Sequence, residues 1–293
     1  MGLRAISSRA RAIVPTPFQA GVRGILTRWG ELTAALRMDP DFIVIGAQRC
    51  GTTSLFRVLN DHPDVVRPTV SKGIGYFDVN YAKGARWYRS HFPLRVTARL
   101  RTKGRALAFE SSGYYSFHPL AAERIASDLP DVKVVLMVRD PVERAYSAYK
   151  HESSRGFENE PFDRALDLET SRLFGEVDKI RADQNYESFD HRHHAYVERG
   201  RYADQLIRFI DLLGRDRVYI VDADRFFAEP NVELTSLFDW LGLRPWLPNS
   251  VAQWNARPSA PLAAELRARL EAEFEDSDRR LTEMLGRPPS WRS

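Results

Sequence analysis

The chain has 293 residues, 43% hydrophobic and 28% charged, with 17 glycines and 17 prolines, a composition that excludes disorder, collagen and coiled coil as the main architecture. Its net charge of +4 sits entirely in residues 1–39, where six arginines face Glu31 and Asp39, so the near-neutral remainder lacks the basic surface of a nucleic-acid binder. The single cysteine, Cys50, excludes an internal disulfide and a thiolate metal cluster, and no apolar run approaches the ~20 residues of a membrane span; a cytoplasmic protein is expected.

Residues 1–39 read as a basic extension, a solvated lead-in helix that partly covers the core, with weak peripheral membrane contact as the other role for its arginines. Residues 40–293 read as one domain. Short β-branched runs alternate there with stretches of helical period, the pattern of a parallel sheet covered by helices. In chain order we expect a strand at 42–45, a helix at 52–60, a strand at 105–109, a helix at 119–129, a central strand at 132–138 and a helix at 142–154. Residues 156–193 are polar with weak periodicity. A long helix at 196–213, a strand at 217–221 and helices at 232–241 and 263–285 follow, with a proline-rich loop at 245–261.

Gly46-Ala-Gln-Arg-Cys-Gly51-Thr52-Thr53 lies where the first strand hands over to a helix, the place where backbone N–H groups and the helix dipole cradle a phosphate. The Gly-x4-Gly spacing matches a P-loop, but Thr52 stands where nucleoside triphosphatases carry lysine. Arg49 supplies a cation from inside the loop instead, which disfavours a small-molecule kinase and favours transfer from a shorter phosphate chain. A second anion site is expected at Arg139-Asp140-Pro141, after the central strand, with Asp140 capping the helix and Arg139 facing the ligand.

The segment Gly46 to Leu55 resembles the 5'-phosphosulfate loop of sulfotransferases that use 3'-phosphoadenosine 5'-phosphosulfate (PAPS). Arg139-Asp-Pro-Val-Glu-Arg-Ala-Tyr-Ser-Ala-Tyr-Lys-His151 resembles their 3'-phosphate segment. Asn80-Tyr-x-Lys-Gly-x-x-Trp-Tyr88, Phe109-Glu-Ser-Ser-Gly-Tyr114 and Gly200-x-Tyr202 are similar to the heparan-sulfate N-sulfotransferase branch and its bacterial relatives. The resemblance implies a P-loop-like three-layer α/β fold with a central parallel sheet flanked by helices. It implies sulfuryl transfer from PAPS, without a metal, to a hydroxyl or an amine of a carbohydrate-like or natural-product acceptor. Donor contacts fall on Arg49, Cys50, Gly51, Thr52, Thr53, Ser54, Arg139, Ser147, Tyr202 and Arg257, with Trp254 as an adenine platform or an aromatic plug.

Transfer also needs a base for the acceptor proton. Relatives place a glutamate directly after a lysine, or a histidine three residues after it. This chain reads Lys72-Gly73-Ile74-Gly75, so Lys72 alone matches. His151 is the first replacement candidate; Glu110 and Glu152 follow, Glu110 doubling as a supporting partner to an arginine. A non-catalytic binder of PAPS or adenosine 3',5'-bisphosphate is the alternative, suggested by the two glycines. His191-Arg-His-His194, with no acidic or thiol partner nearby, reads as a solvated loop rather than a metal site, and Trp87, Tyr88 and Phe92 read as core.

Overall fold

The computed structural model describes residues 27–69, 72–252 and 262–293. Five parallel strands form its sheet: β1 (Phe42–Gly46), β2 (Val65–Val66), β3 (Leu107–Ser111), β4 (Lys133–Val138) and β5 (Val218–Asp222), in the spatial order β2-β3-β1-β4-β5. Every residue of β1 is buried, as is β4 after Lys133, which explains their continuously apolar sequences: helices cover both faces. Registers of Ile43 with Glu110 and of Ile43 with Val134 set the strands side by side, and Val138 lies opposite Asp222. The carboxyl ends of the strands therefore share one rim. The chain leaves β1 toward β3 and later returns past it to β4, so the connections diverge beside β1, where open α/β sheets place their ligand crevice.

From Thr52 onward the named α-helices are α1 (Thr52–Asp61), α2 (Gly84–Ser90), α3 (Arg95–Arg101), α4 (Ala121–Asp128), α5 (Pro141–Ser153), α6 (Phe162–Leu173), α7 (Glu176–Ala182), α8 (Phe189–His193), α9 (Tyr202–Leu213), α10 (Ala223–Ala228), α11 (Pro230–Leu241) and α12 (Ala264–Leu285). The α/β architecture expected from the sequence is present. Three local readings need correction. The strand expected at 105–109 is β3 at 107–111, because polar Glu110 and Ser111 continue it into the buried rim. The two-residue β2 is too short to leave a periodic signal.

The polar stretch 156–193 folds into α6, α7 and α8, whose buried positions include Glu169, Glu176 and His191 and so dilute the apolar period. A second apolar cluster holds this region, with Val142, Ala145 and Ala148 of α5 meeting Phe162, Leu166, Tyr196 and Phe274. The helix expected at 196–213 is broken. Residues 198–200 form a 3-10 turn whose approach is fixed by Glu169, which accepts the N–H groups of Val197 and Glu198, and helix begins only at Tyr202. A Cβ on Gly200 would lie 2.7 Å from the Phe274 ring, so this turn packs closer than any other residue permits.

The expectations for residues 1–26 lie outside the described residues. Residues 27–39 are docked on one side and open on the other: Gly30 packs on Ser90 and Arg37 is buried, donating to Phe92 O, while Trp29, Leu32 and Leu36 are exposed. No helix among the described residues is long and apolar enough to cross a membrane.

Candidate active site

The turn from β1 to α1 is built on glycine and one unusual arginine. Gly51 has φ +88°, and a Cβ there would lie 3.1 Å from the Phe227 ring, so only glycine lets the backbone turn its amides toward the rim at this point. Arg49 adopts φ 73°, the left-handed region that non-glycine residues enter at a cost, commonly at functional sites. Its Nε donates to Ser147 Oγ of α5 at 3.0 Å. The two segments expected to hold opposite ends of one nucleotide thus meet through named side chains.

Arg139 ends β4 at the same rim, and Asp140 caps α5 by accepting from Val142 N at 2.8 Å. The carboxylates flanking Arg139 are occupied elsewhere: Arg267 reaches Asp140 at 2.7 Å and Glu143 at 2.9 Å. Arg139 keeps a loose 3.9 Å contact to Glu143, so its charge is not quenched by its neighbours. Lys150, missed in the sequence although it lies inside the α5 motif, joins them. Burial, with the charges of Arg139 and Arg49 set against Glu143, pushes its amine below the ordinary lysine value. The Lys150 ammonium itself lies 4.0 Å over the Tyr146 ring, close enough to Arg49 and Arg139 to feel their charge.

Lys72 approaches from the opposite side. Its Nζ donates to Thr52 Oγ1 at 3.1 Å and Thr53 Oγ1 at 3.3 Å, and burial lowers its amine to about 8. An ammonium beside the positive end of the α1 dipole is electrostatically opposed unless an anion joins them. Lys72 puts a cation next to Thr52, the position where a P-loop lysine would stand, but from a separate segment. These donors fit a phosphosulfate: left-handed loop, hydroxyls and cations together form an anion cradle.

Several expected donor contacts are corrected. Tyr202 is 0% exposed and cannot touch a ligand in the crevice; its hydroxyl donates to Arg139 O at 2.9 Å and lies 3.4 Å from Cys50 Sγ, bracing both anion segments from behind. The Cys50 thiol is equally buried and pushed up to about 11 by burial, so at most its backbone faces a ligand. Ser54 is buried beneath the loop, whereas Thr53, Arg49, Arg139 and Ser147 are half-buried. Arg257 and Trp254 lie outside the described residues.

The base candidates separate cleanly. Glu110 is 0% exposed, and its carboxylate accepts from Tyr88 and Tyr115 hydroxyls at 2.9 Å, Ser112 Oγ at 2.8 Å and Ile74 N at 3.0 Å. Its lone pairs are committed, so it is neither a base nor an arginine's partner but the post to which segment 72–76 is tied. Glu152 is also buried, with Oε2 accepting from His193 Nδ1 at 3.0 Å. Burial raises its carboxyl, but the His193 hydrogen bond and the nearby cationic groups outweigh burial and hold it below the usual value. His151 is half-buried on α5, one turn beyond Ser147 and on the same face. It is the least buried of the three.

The glycines at the family's base positions are structural requirements. A Cβ on Gly73 would lie 2.6 Å from Ser111 O and 2.9 Å from Ser112 Oγ, and Gly75 has φ +64°. A carboxylate cannot stand at position 73 while this segment lies against β3.

Residues 191–193 close helix α8 and His194 caps it, with Glu152 and Asp190 as carboxylate partners of His193 and His194, so the segment is not a solvated loop. His191 and His194 are buried, and Tyr114 OH pairs with His191 Nδ1 at 2.7 Å. No group of three metal-ligating side chains gathers among the described residues. Tyr88 and Phe92 are core as expected, with Trp87 packed against them. Sequence reasoning missed Gln48 and Arg199 altogether; Arg199 donates to Gln48 Oε1.

Comparisons with known proteins agree with this geometry. The bifunctional heparan sulfate N-deacetylase/N-sulfotransferase 1 of Caenorhabditis elegans is 30% identical over 209 residues, 70% of this chain and 22% of that protein. Heparan sulfate glucosamine 3-O-sulfotransferase 5 of Mus musculus is 29% identical over 74% of this chain and 56% of its own length, so the chain spans only part of these curated relatives. A sulfotransferase crystal structure from Alicyclobacillus acidocaldarius, 28% identical, covers 87% of this chain and 100% of its own, with a TM-score of 0.62. With the family model described as "Sulfotransferase domain" matching residues 39–254, the chain belongs to the sulfotransferase family.

Proposed function

We propose that the protein transfers a sulfuryl group from PAPS to a hydroxyl or an amine of a carbohydrate-like or natural-product acceptor. One observation carries the donor reading: Arg49 Nε meets Ser147 Oγ at 3.0 Å, joining the loop after β1 to the helix after β4. A donor with a 5'-phosphosulfate and a 3'-phosphate needs two anion sites this close, at the ends of neighbouring strands. Sulfuryl transfer is in-line displacement, helped mainly by positioning and charge stabilisation.

In this reading the N–H groups at Gly51 to Thr53, the Thr52 and Thr53 hydroxyls, Arg49 and Lys72 hold the 5' end and stabilise charge on the leaving phosphate. Arg49 stays protonated throughout, so it stabilises charge and does not donate a proton. Arg139 and Ser147 hold the 3'-phosphate. His151 takes the acceptor proton, since Glu110 and Glu152 are committed to other partners. The acceptor lies against residues 72–92 and the α6–α8 region. The glycan chemistry in the names of the relatives makes a polar sugar the first class to test.

Calorimetric titration with adenosine 3',5'-bisphosphate and transfer of labelled sulfate from PAPS to an acceptor library test this together. Saturable nucleotide binding with labelled product supports it. Binding without transfer to any acceptor would identify a donor-binding adaptor instead, and absence of binding would refute the donor reading.

A further inference from the structure

Arg199 is a deeply buried charge beside the loop after β1, with no direct role assigned so far. It is 3% exposed, and burial lowers its guanidinium to about 10. Among the described residues no carboxylate stands within ion-pair distance; Glu152 and Glu169 act on it only from farther away. Its hydrogen bonds go to neutral oxygens. NH1 donates to the side-chain oxygen of Gln48 in the donor loop, and NH2 donates to the carbonyls of His191 and Arg192 on α8, each at 2.9 Å. The guanidinium plane lies 5.1 Å from the Tyr114 ring centre and 4.9 Å from that of Phe117. Nε finds no hydrogen-bond partner among the described residues. Gln205 of α9 secures the backbone by donating to Arg199 O at 2.9 Å.

One side chain thereby touches the donor loop, residues 114–117 and helix α8. A neutral residue of similar volume would fill this slot without the desolvation cost of an uncompensated buried cation. Stability alone does not explain an arginine here. The donor loop, however, is where negative charge arrives.

We propose that Arg199 is a positioning residue: it fixes the donor loop, through Gln48, against the acceptor-side helix α8, and the bound donor's anionic groups complete the charge balance of its buried guanidinium. This rests on the donor reading above. The unliganded protein then carries a strained electrostatic state that donor binding relieves, and donor and acceptor sides share one rigid link.

Two variants test it, Arg199→Met, which keeps an apolar stem between the two rings, and Gln48→Leu, which cuts the link at its exposed end. The readouts are the melting temperature without ligand and calorimetric affinity for adenosine 3',5'-bisphosphate. We expect Arg199→Met to melt at or above the wild-type temperature while binding the nucleotide about tenfold more weakly, an effect within the range seen for coupling residues. Gln48→Leu should weaken binding in the same direction, and the double variant should bind no worse than Arg199→Met. Wild-type affinity in both variants, or an Arg199→Met protein that is destabilised yet binds normally once folded, overturns the assignment and leaves the donor reading intact. If Arg199→Met does not fold, Gln48→Leu decides alone. Nucleotide that fails to bind the wild type overturns both.

Discussion

The proposed donor rim and the proposed acceptor side are built in opposite ways. On the donor rim each anion site is one continuous strand, turn and helix: β1, the 46–51 loop and α1, then β4, Asp140 and α5. On the acceptor side, neighbours come from far apart: Glu110 ties down residues 74–76 through Ile74 N and Tyr115, and Arg199 spans from Gln48 to His191. Local construction allows the loop to be a general anion cradle. If the other wall binds the acceptor as proposed, its long-range construction would let it vary without disturbing that cradle.

The largest effect should fall where the two walls meet. His151 stands on helix α5 and is the proposed base for the acceptor, so His151→Ala should lower kcat by about 10²- to 10⁴-fold, the usual contribution of a general base, with little change in nucleotide affinity. Full activity in steady-state kinetics would return His151 to the donor wall. Arg139→Ala should weaken adenosine 3',5'-bisphosphate by about 2 to 5 kcal/mol, as for removal of one partner from a desolvated ion pair, measured by calorimetry. An unchanged affinity would break the two-site rim.

Gly73→Glu sharpens the contrast from the acceptor side. Restoring the carboxylate that relatives carry should cost about 1 to 3 kcal/mol of stability in urea denaturation, because position 73 is already filled by Ser111 and Ser112, and should not raise kcat. A stable, faster enzyme would show that the strap lifts freely. The smallest effect is on pH dependence. The Lys72 amine sits at about 8 against an ordinary 10.5. Without ligand the unfolded chain binds the extra proton between those values, so stability should rise with pH across that window. Donor binding needs the ammonium, so affinity should be full below about pH 8 and fall above it, by at most about tenfold per pH unit. Lys72→Met should flatten both profiles.

How much was legible follows from the same contrast. Gly46 to Thr53 and Arg139 to Ser147 announced themselves because turn, cap and anion donors are consecutive. Lys72 was visible as a residue, but its placement on Thr52 and Thr53 depends on where the chain returns after α1. Glu110 looked like a candidate base because the sequence does not show that Tyr88, Tyr115, Ser112 and Ile74 converge on it. Helices α6–α8 escaped because their interior faces are held by charged and imidazole groups, which imitate a solvated surface. Arg199 was illegible for the same reason, a lone arginine between a glutamate and a glycine.

The last helix gives Arg267 a reach beyond its own surroundings. The family match ends at residue 254, yet α12 sends Arg267 to Asp140 and Glu143, presses Phe274 on Gly200, and is followed by Ser290, whose amide donates to Asp222 at 2.9 Å. A fragment trimmed at the homology boundary would remove Arg267 from Asp140 and Glu143 and leave those carboxylates beside Arg139 without that partner. Expression designs and domain fusions must therefore carry the tail through residue 293.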